Sequence, residues 1–220
     1  MSAFDASDPM AAQSEAPEHQ WASAADHIFP ALRPAGTHGI HLDDLDQSRL
    51  ALEGVKKHAL SLLDTGPAGL AIVYVLRGSS YDVVVNADHY LTWGMPAAAI
   101  RDRAISNLRG WSTNAPWTDE LAGDRHIVSS DTGFGGDAAR ILLPEVRAHL
   151  AGQCGGPSRV LVALPDRDLL VAASLPPGDA QFLGQFRAFI DDIFEGAHEP
   201  IERGLFELVG DENELRRFDG

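Results

Sequence analysis

The residue types with the most chemical potential lie in two short segments, Asp131-Thr132-Gly133-Phe134-Gly135-Gly136-Asp137 and Pro165-Asp166-Arg167-Asp168, with Arg140 three positions after the first. Glycines ahead of a helix can present backbone N–H groups to a phosphate, and the helix dipole favours an anion there. No Lys or Ser/Thr follows in the spacing of a phosphate-binding loop, however, and Asp131 and Asp137 would repel an anion. The same two carboxylates, with loop carbonyls, make a candidate site for a hard cation such as Ca²⁺, although their spacing is not that of an EF-hand. The plainer expectation is a flexible connection whose last residue, Asp137, caps the next helix.

Arg140 falls on the same helix face as Asp137 and can pair with it. A cation in the first turn opposes the helix dipole, so Arg140 calls for a specific anionic partner, and Asp166 or Asp168 is the expected one. Two readings of Asp137, Arg140, Asp166, Arg167 and Asp168 follow. Together with Asp131 they surround a substrate carboxylate or phosphate, as in a hydrolase-like enzyme or a small-anion-binding protein. Alternatively they form an ion-pair network that ties a helix to a turn. No His-Glu-x-x-His pair and no Gly-x-Ser-x-Gly elbow occurs, the nine histidines are scattered, and the only cysteine is Cys154. That removes zincin and α/β-hydrolase chemistry, an internal disulfide and a multi-thiolate zinc site. No metal and no cofactor is expected.

The elements that must position these residues follow from hydrophobic period and punctuation. Residues 1–37 are rich in Ala, Ser, Asp, Glu and Pro without a sustained period, which predicts a flexible acidic tail, with Trp21 and Ile28-Phe29 as its only large apolar groups. Leu45, Leu52, Val55, Ala59 and Leu62 predict a helix from Asp43, its N-cap, to Leu63. A hairpin is predicted from Gly69–Leu76 and Tyr81–Val85, then a helix opened by Pro96 with Ile100, Ala104, Leu108 and Trp111 inward. Residues 112–124 read as irregular, and a short strand is expected at 126–128. A third helix runs from Asp137 to Leu150, and Pro144 kinks it or starts a second segment. Arg159–Leu164 and Leu169–Ala173 form a second hairpin. Asp179 caps a helix with the stripe Phe182, Phe186, Phe189 and Ile193, and a last hairpin joins Leu205–Val209 to Glu214–Phe218. Hairpins with helices between them predict an α+β fold: a mixed, largely antiparallel sheet with about four packing helices, in a single domain over residues 38–220.

Composition narrows the function classes. The 220 residues carry a formal net charge of −15, and Lys56 and Lys57 are the only lysines. A phosphate-tracking surface needs clustered basic residues, so a nucleic-acid partner is not expected. The longest aliphatic run, Gly69–Leu76, is far short of the roughly 20 residues that span a bilayer, and the N-terminus lacks the layout of a signal peptide. These features predict a cytoplasmic protein that meets a protein or a small-molecule ligand and no membrane.

The order of several segments resembles one bacterial family. Trp93 precedes a helix containing Ala104-Ile105-Ser106-Asn107-Leu108; Asp137-Ala138-Ala139-Arg140-Ile141-Leu142-Leu143-Pro144-Glu145 and Val162-Ala163-Leu164-Pro165-Asp166-Arg167-Asp168-Leu169-Leu170 follow. Over roughly residues 45 to 209 this is similar to the YtpQ-like family, domain of unknown function 1444. Its members carry serine where this chain has Ala139, so a hydroxyl chemistry at that point would be missing here. The resemblance implies a fold and cytoplasmic residence but no activity, and the expectation is a non-enzymatic binding or interaction module.

Overall fold

The computed structural model describes residues 17–52, 58–78, 81–123 and 125–220. They form an α+β fold of two mostly antiparallel sheets with helices. The chain divides into two compact units. The first takes its described residues from 17–29, 38–64 and 73–107; the second comprises 30–37, 65–72 and 108–220. Residues 38–220, expected as one domain, are thus shared between the two units.

The first sheet contains β1 (Ile28–Arg33), β2 (Ile40–His41), β3 (Leu62–Thr65), β4 (Ala71–Arg77) and β5 (Asp82–Val84) in the order β1-β4-β3-β2, with β5 paired to β4. The β4–β5 hairpin is the one the sequence predicts, with Val75 opposite Val84. Short helices α1 (Trp21–Ala24) and α2 (Gln47–Leu52) belong to the first unit, as do α3 (Ala87–Trp93) and the first eleven residues of α4 (Ala97–Ser112). Asn86 caps α3 by accepting from the backbone N–H groups of Asp88 and His89, both at 3.1 Å. Gly94 ends α3 at φ 61°, a left-handed conformation that glycine adopts without a Cβ clash.

Two expectations give way to the structure. Residues 17–33 are ordered elements of the fold. β1 is buried along almost its whole length, and Asn107 Nδ2 holds its start by donating to the carbonyls of Ala25 (2.8 Å) and Ile28 (2.9 Å). Strand β1 escaped detection because burial on both faces leaves no alternation, only a short apolar run interrupted by Pro30. Residues 1–16 of the expected tail lie outside the described residues. The helix expected from Asp43 to Leu63 is also not continuous: Asp43 sits in a 3₁₀ turn, α2 is short, and Leu62-Leu63 are already in β3, fully buried. Val55 lies outside the described residues.

The second unit is built on a six-stranded antiparallel sheet in the order β11-β10-β8-β9-β7-β6. Its strands are β6 (Thr118–Ala122), β7 (Arg125–Ser130), β8 (Arg159–Asp166), β9 (Leu169–Leu175), β10 (Phe206–Val209) and β11 (Glu214–Arg217). The β8–β9 and β10–β11 hairpins fall where the sequence places them. Pro144 starts a separate helix, α5 (Pro144–Cys154), after a 3₁₀ segment over Ala138–Leu142. Proline is tolerated in a first turn because its missing N–H has no intrahelical partner there.

Helix α6 (Ala180–Gly196) is capped by Asp179, which accepts from Phe182 N at 3.0 Å as expected. Its buried stripe is Phe182, Phe186 and Ile190, packed on Leu161, Ala163, Val171 and Ala173 of β8 and β9. Burial of each such side chain contributes roughly 1.5–3 kcal/mol. Phe189, expected inward, is 50% exposed. It lies one residue short of the stripe, over the part of the sheet that α6 leaves open.

Candidate functional site: an open groove beside an edge strand

Most of the polar residues that the sequence singles out close on themselves. Arg140 is 1% exposed. Its Nε donates to Ser112 Oγ (3.0 Å), one terminal nitrogen to Ser130 Oγ (2.5 Å) and the Pro116 carbonyl (3.3 Å), and the other to the carbonyls of Ser112 (3.2 Å) and Ala115 (3.3 Å). These bonds use the full donor set of a guanidinium. The Trp117 ring covers the charge, 3.7 Å from its carbon. Burial pushes the Arg140 pKa down to about 10 and the nearby Asp137 opposes that shift, so the group stays cationic at neutral pH.

Asp137 is fully buried and accepts from Ser130 Oγ and from Thr132 Oγ (2.8 Å). It makes no side-chain cap bond, which corrects the expected N-cap: its backbone is already helical at φ −61°, ψ −43°, and the carboxylate turns inward. Ser130 thus bridges Arg140 to Asp137, and all three groups are shut off from solvent.

The Asp166–Asp168 turn satisfies itself elsewhere. Arg167 pairs with Glu199 at 2.8 Å and donates to Asp168 at 3.3 Å; Asp166 accepts from the backbone N–H groups of Asp168 (2.9 Å) and Glu199 (3.2 Å). Glu199 also pairs with Arg33 at 2.6 Å. The two segments do meet, through Ala138 N donating to the Arg167 carbonyl at 3.1 Å. Arg140 nevertheless takes neither Asp166 nor Asp168. The 3₁₀ start of the segment directs its side chain into the Trp117 pocket rather than along the face of a helix. The five residues therefore fall into two separate networks rather than one cluster. Asp131 and Asp137 also diverge, the first exposed and the second buried. Among the described residues no three His, Cys, Asp or Glu side chains come together so as to hold a metal ion. Cys154 is buried, and burial pushes its pKa up to about 12, which makes it a poor nucleophile.

What remains open is the other face of the same sheet. Register places Glu120, Ile127 and Ala173 side by side, with Thr118, Ser129 and Val171 in the next row. Helix α6 covers β8 and β9 but stops short of β6. The uncovered strip forms two adjoining cavities of about 360 and 710 Å³, sharing Glu120, Ile127 and Phe189. The larger is floored by Ile127 and Val171 and walled by Phe189 and Ile193, with Asp131 at its rim. At the other end Arg125 is already engaged, donating to both oxygens of Asp179 at 2.9 and 3.2 Å and lying over the Phe182 ring.

Strand β6 ends the sheet, and all five of its residues are exposed. An edge strand presents one row of backbone N–H and C=O groups with no ladder partner. Its two acids differ. Asp119 points to the opposite face, where His126 Nε2 lies 2.6 Å away while His126 Nδ1 is 2.7 Å from the Gln153 carbonyl. Glu120 points into the groove and has no ion pair among the described residues; the same is true of Asp131.

This strand is what sequence reasoning missed. Thr118–Ala122 lacks a β-branched or aromatic run, and its weak alternation is indistinguishable from a polar loop. Its pairing is set by β7, which the apolar Ile127-Val128 does signal.

Comparison with family models, with curated proteins and with solved structures returned no match. The geometry of the groove therefore carries the functional argument alone. Among the described residues no helix is long and apolar enough to cross a membrane.

Proposed function

We propose that this protein is a non-enzymatic interaction module whose binding surface is the groove between β6, β7 and α6. The observation that carries this reading is the coincidence of a fully exposed edge strand, whose outer side has no ladder partner among the described residues, with an adjoining apolar cleft walled by the half-exposed Phe189. Edge strands recognise extended segments by main-chain hydrogen bonds, and a neighbouring cleft selects alternate side chains. The alternative, hydrolase-like or anion-binding chemistry of Asp131, Asp137, Arg140, Asp166, Arg167 and Asp168, has Asp137 and Arg140 sealed and fully partnered, Asp131 turned to solvent, and the Asp166–Asp168 turn engaged with Glu199 and with itself. A cytoplasmic setting and membership of the YtpQ-like family are parts of the same proposal. The first is supported by the single cysteine and the second by the order of the shared segments. The acidic charge supports a protein partner over a nucleic acid.

The test is a display selection of extended ten-residue peptides on the full chain, followed by calorimetry. Phe189→Ala removes an exposed ring that closes the cleft, so it should weaken selected peptides roughly tenfold, as for an interface anchor, while the melting temperature stays within a few degrees. Peptides that bind the variant as tightly as the parent would show that the groove is not the site.

A further inference from the structure

Resting on that docking reading, we infer that the occupant of the groove is an extended cationic segment that adds to β6 as a further strand. It presents Lys or Arg to Glu120 and Asp131, with an apolar side chain between them. The charges of the groove carry this. Its floor and wall are apolar, and the ionised groups around it are Glu120, Asp131 and Arg125. Arg125 is neutralised by the two-pronged contact with Asp179. Glu120 and Asp131 are exposed and have no side-chain partner among the described residues, in a chain whose net charge is −15. The cleft therefore shows a partner two uncompensated negative charges.

Their spacing sets the pattern. Glu120 lies opposite Ile127 in the β6–β7 ladder, and Asp131, four residues after Ile127 and one past the end of β7, lines the same cavity. Four strand residues advance roughly 13 Å and return to the same face. An added strand thus meets the two acids with residues i and i+4, and its residue i+2 faces the apolar stretch between them. Long, flexible Lys and Arg side chains can reach the carboxylates while their stems cover apolar surface.

The same charges argue against a second copy of this chain. Pairing β6 with itself about its middle residue sets Glu120 against Glu120, and like charges directly opposite are destabilising. An acidic or phosphate-rich partner meets the same repulsion.

Three fluorescein-labelled peptides test the inference by fluorescence anisotropy on the full chain: Lys-Thr-Val-Thr-Lys-Thr-Val-Thr-Lys, and the versions with Gln or Glu at every Lys. The Lys peptide should bind at least about tenfold more tightly than the Gln peptide at low salt, and the preference should shrink in half-molar salt, as for exposed charges. The double variant Glu120→Gln/Asp131→Asn changes two exposed side chains and should keep its melting temperature while the preference falls to about threefold or less. A preference that survives in the double variant overturns the inference. Equal binding of the Lys and Gln peptides overturns the cationic partner while the docking reading stands. If none of the three peptides binds, or if sedimentation shows a dimer that the Lys peptide does not dissociate, the inference fails. Absence of binding by all three also removes the support for the docking reading.

Discussion

The two faces of the six-stranded sheet treat charge in opposite ways. On the α5 side, Arg140, Ser130 and Asp137 are buried, and every donor of the guanidinium has an acceptor. On the α6 side, Glu120 and Asp131 stand exposed beside an apolar cleft, with no side-chain partner among the described residues. By residue type and spacing alone, Asp137 and Arg140 read as reactive together with Asp131, whereas Ser130 and Glu120 draw no attention. A charged group enclosed with a complete set of partners is already spent on structure, because unmaking any one contact strands another buried polar atom. A charged group left without partners beside apolar surface keeps its interaction free energy for something outside the chain.

The largest effect should come from breaking the closed face. Arg140→Ala would strand the carbonyls of Ser112, Ala115 and Pro116, along with Ser130 and the buried Asp137 carboxylate. A stability loss of about 3–5 kcal/mol is expected from equilibrium urea unfolding, in the range for removing one member of a buried charged network. Arg140→Lys should recover less than half of it, because an ammonium has three donors and no planar fork. A loss under about 1 kcal/mol would mean that the network is dispensable and that Arg140 is available for another role.

A smaller effect sharpens the rule that burial needs partners, using a site in the first unit where one is missing. His89 is 4% exposed, its ring stacks on His19 at 4.7 Å, and its Nε2 has no hydrogen-bond partner among the described residues. Burial, helped by the neighbouring His19, pushes its pKa down from 6.5 to about 4. The unfolded chain therefore binds the proton more readily than the folded one. The stability held by the neutral ring is complete above about pH 6.5, falls as pH drops from 6.5 to 4, and changes no further below that. The total is on the order of 3 kcal/mol. Urea unfolding of His89→Gln across this range should show a shallower slope than the parent. An identical slope would place the acid sensitivity elsewhere.

The smallest effect is expected on the open face. Glu120→Gln should change stability by less than about 0.5 kcal/mol, as for an exposed unpaired charge. A loss of about 1 kcal/mol or more would give Glu120 a structural role and erase the contrast between the faces.

Much of this architecture was legible from period and punctuation. The capped helix at Asp179, the restart at Pro144 and the three hairpins at Gly69–Val85, Arg159–Ala173 and Leu205–Phe218 all follow from local rules. Strands β1 and β6 were not legible, for opposite reasons. β1 is buried on both faces and so does not alternate, whereas β6 is exposed on both and so has no apolar period. The candidate site inherits that gap. Spacing correctly brings the Ala138 and Arg167 segments together, but the direction of the Arg140 side chain depends on Trp117 and on the carbonyls of residues 112–116, a stretch that reads as featureless. The openness of the groove depends on how far α6 reaches across the sheet, which no local pattern encodes; Phe189 has the spacing of a core residue until its neighbours are placed.

The most direct test of the docking account is amide hydrogen exchange of Thr118–Ala122 with and without the Lys-Thr-Val-Thr-Lys-Thr-Val-Thr-Lys peptide at saturating concentration. Exchange should slow in β6 at alternate residues, those whose N–H groups face away from β7, with unchanged protection at Ser130 and Arg140. Peptide binding that leaves every β6 amide exchanging at its free rate would contradict docking on this strand.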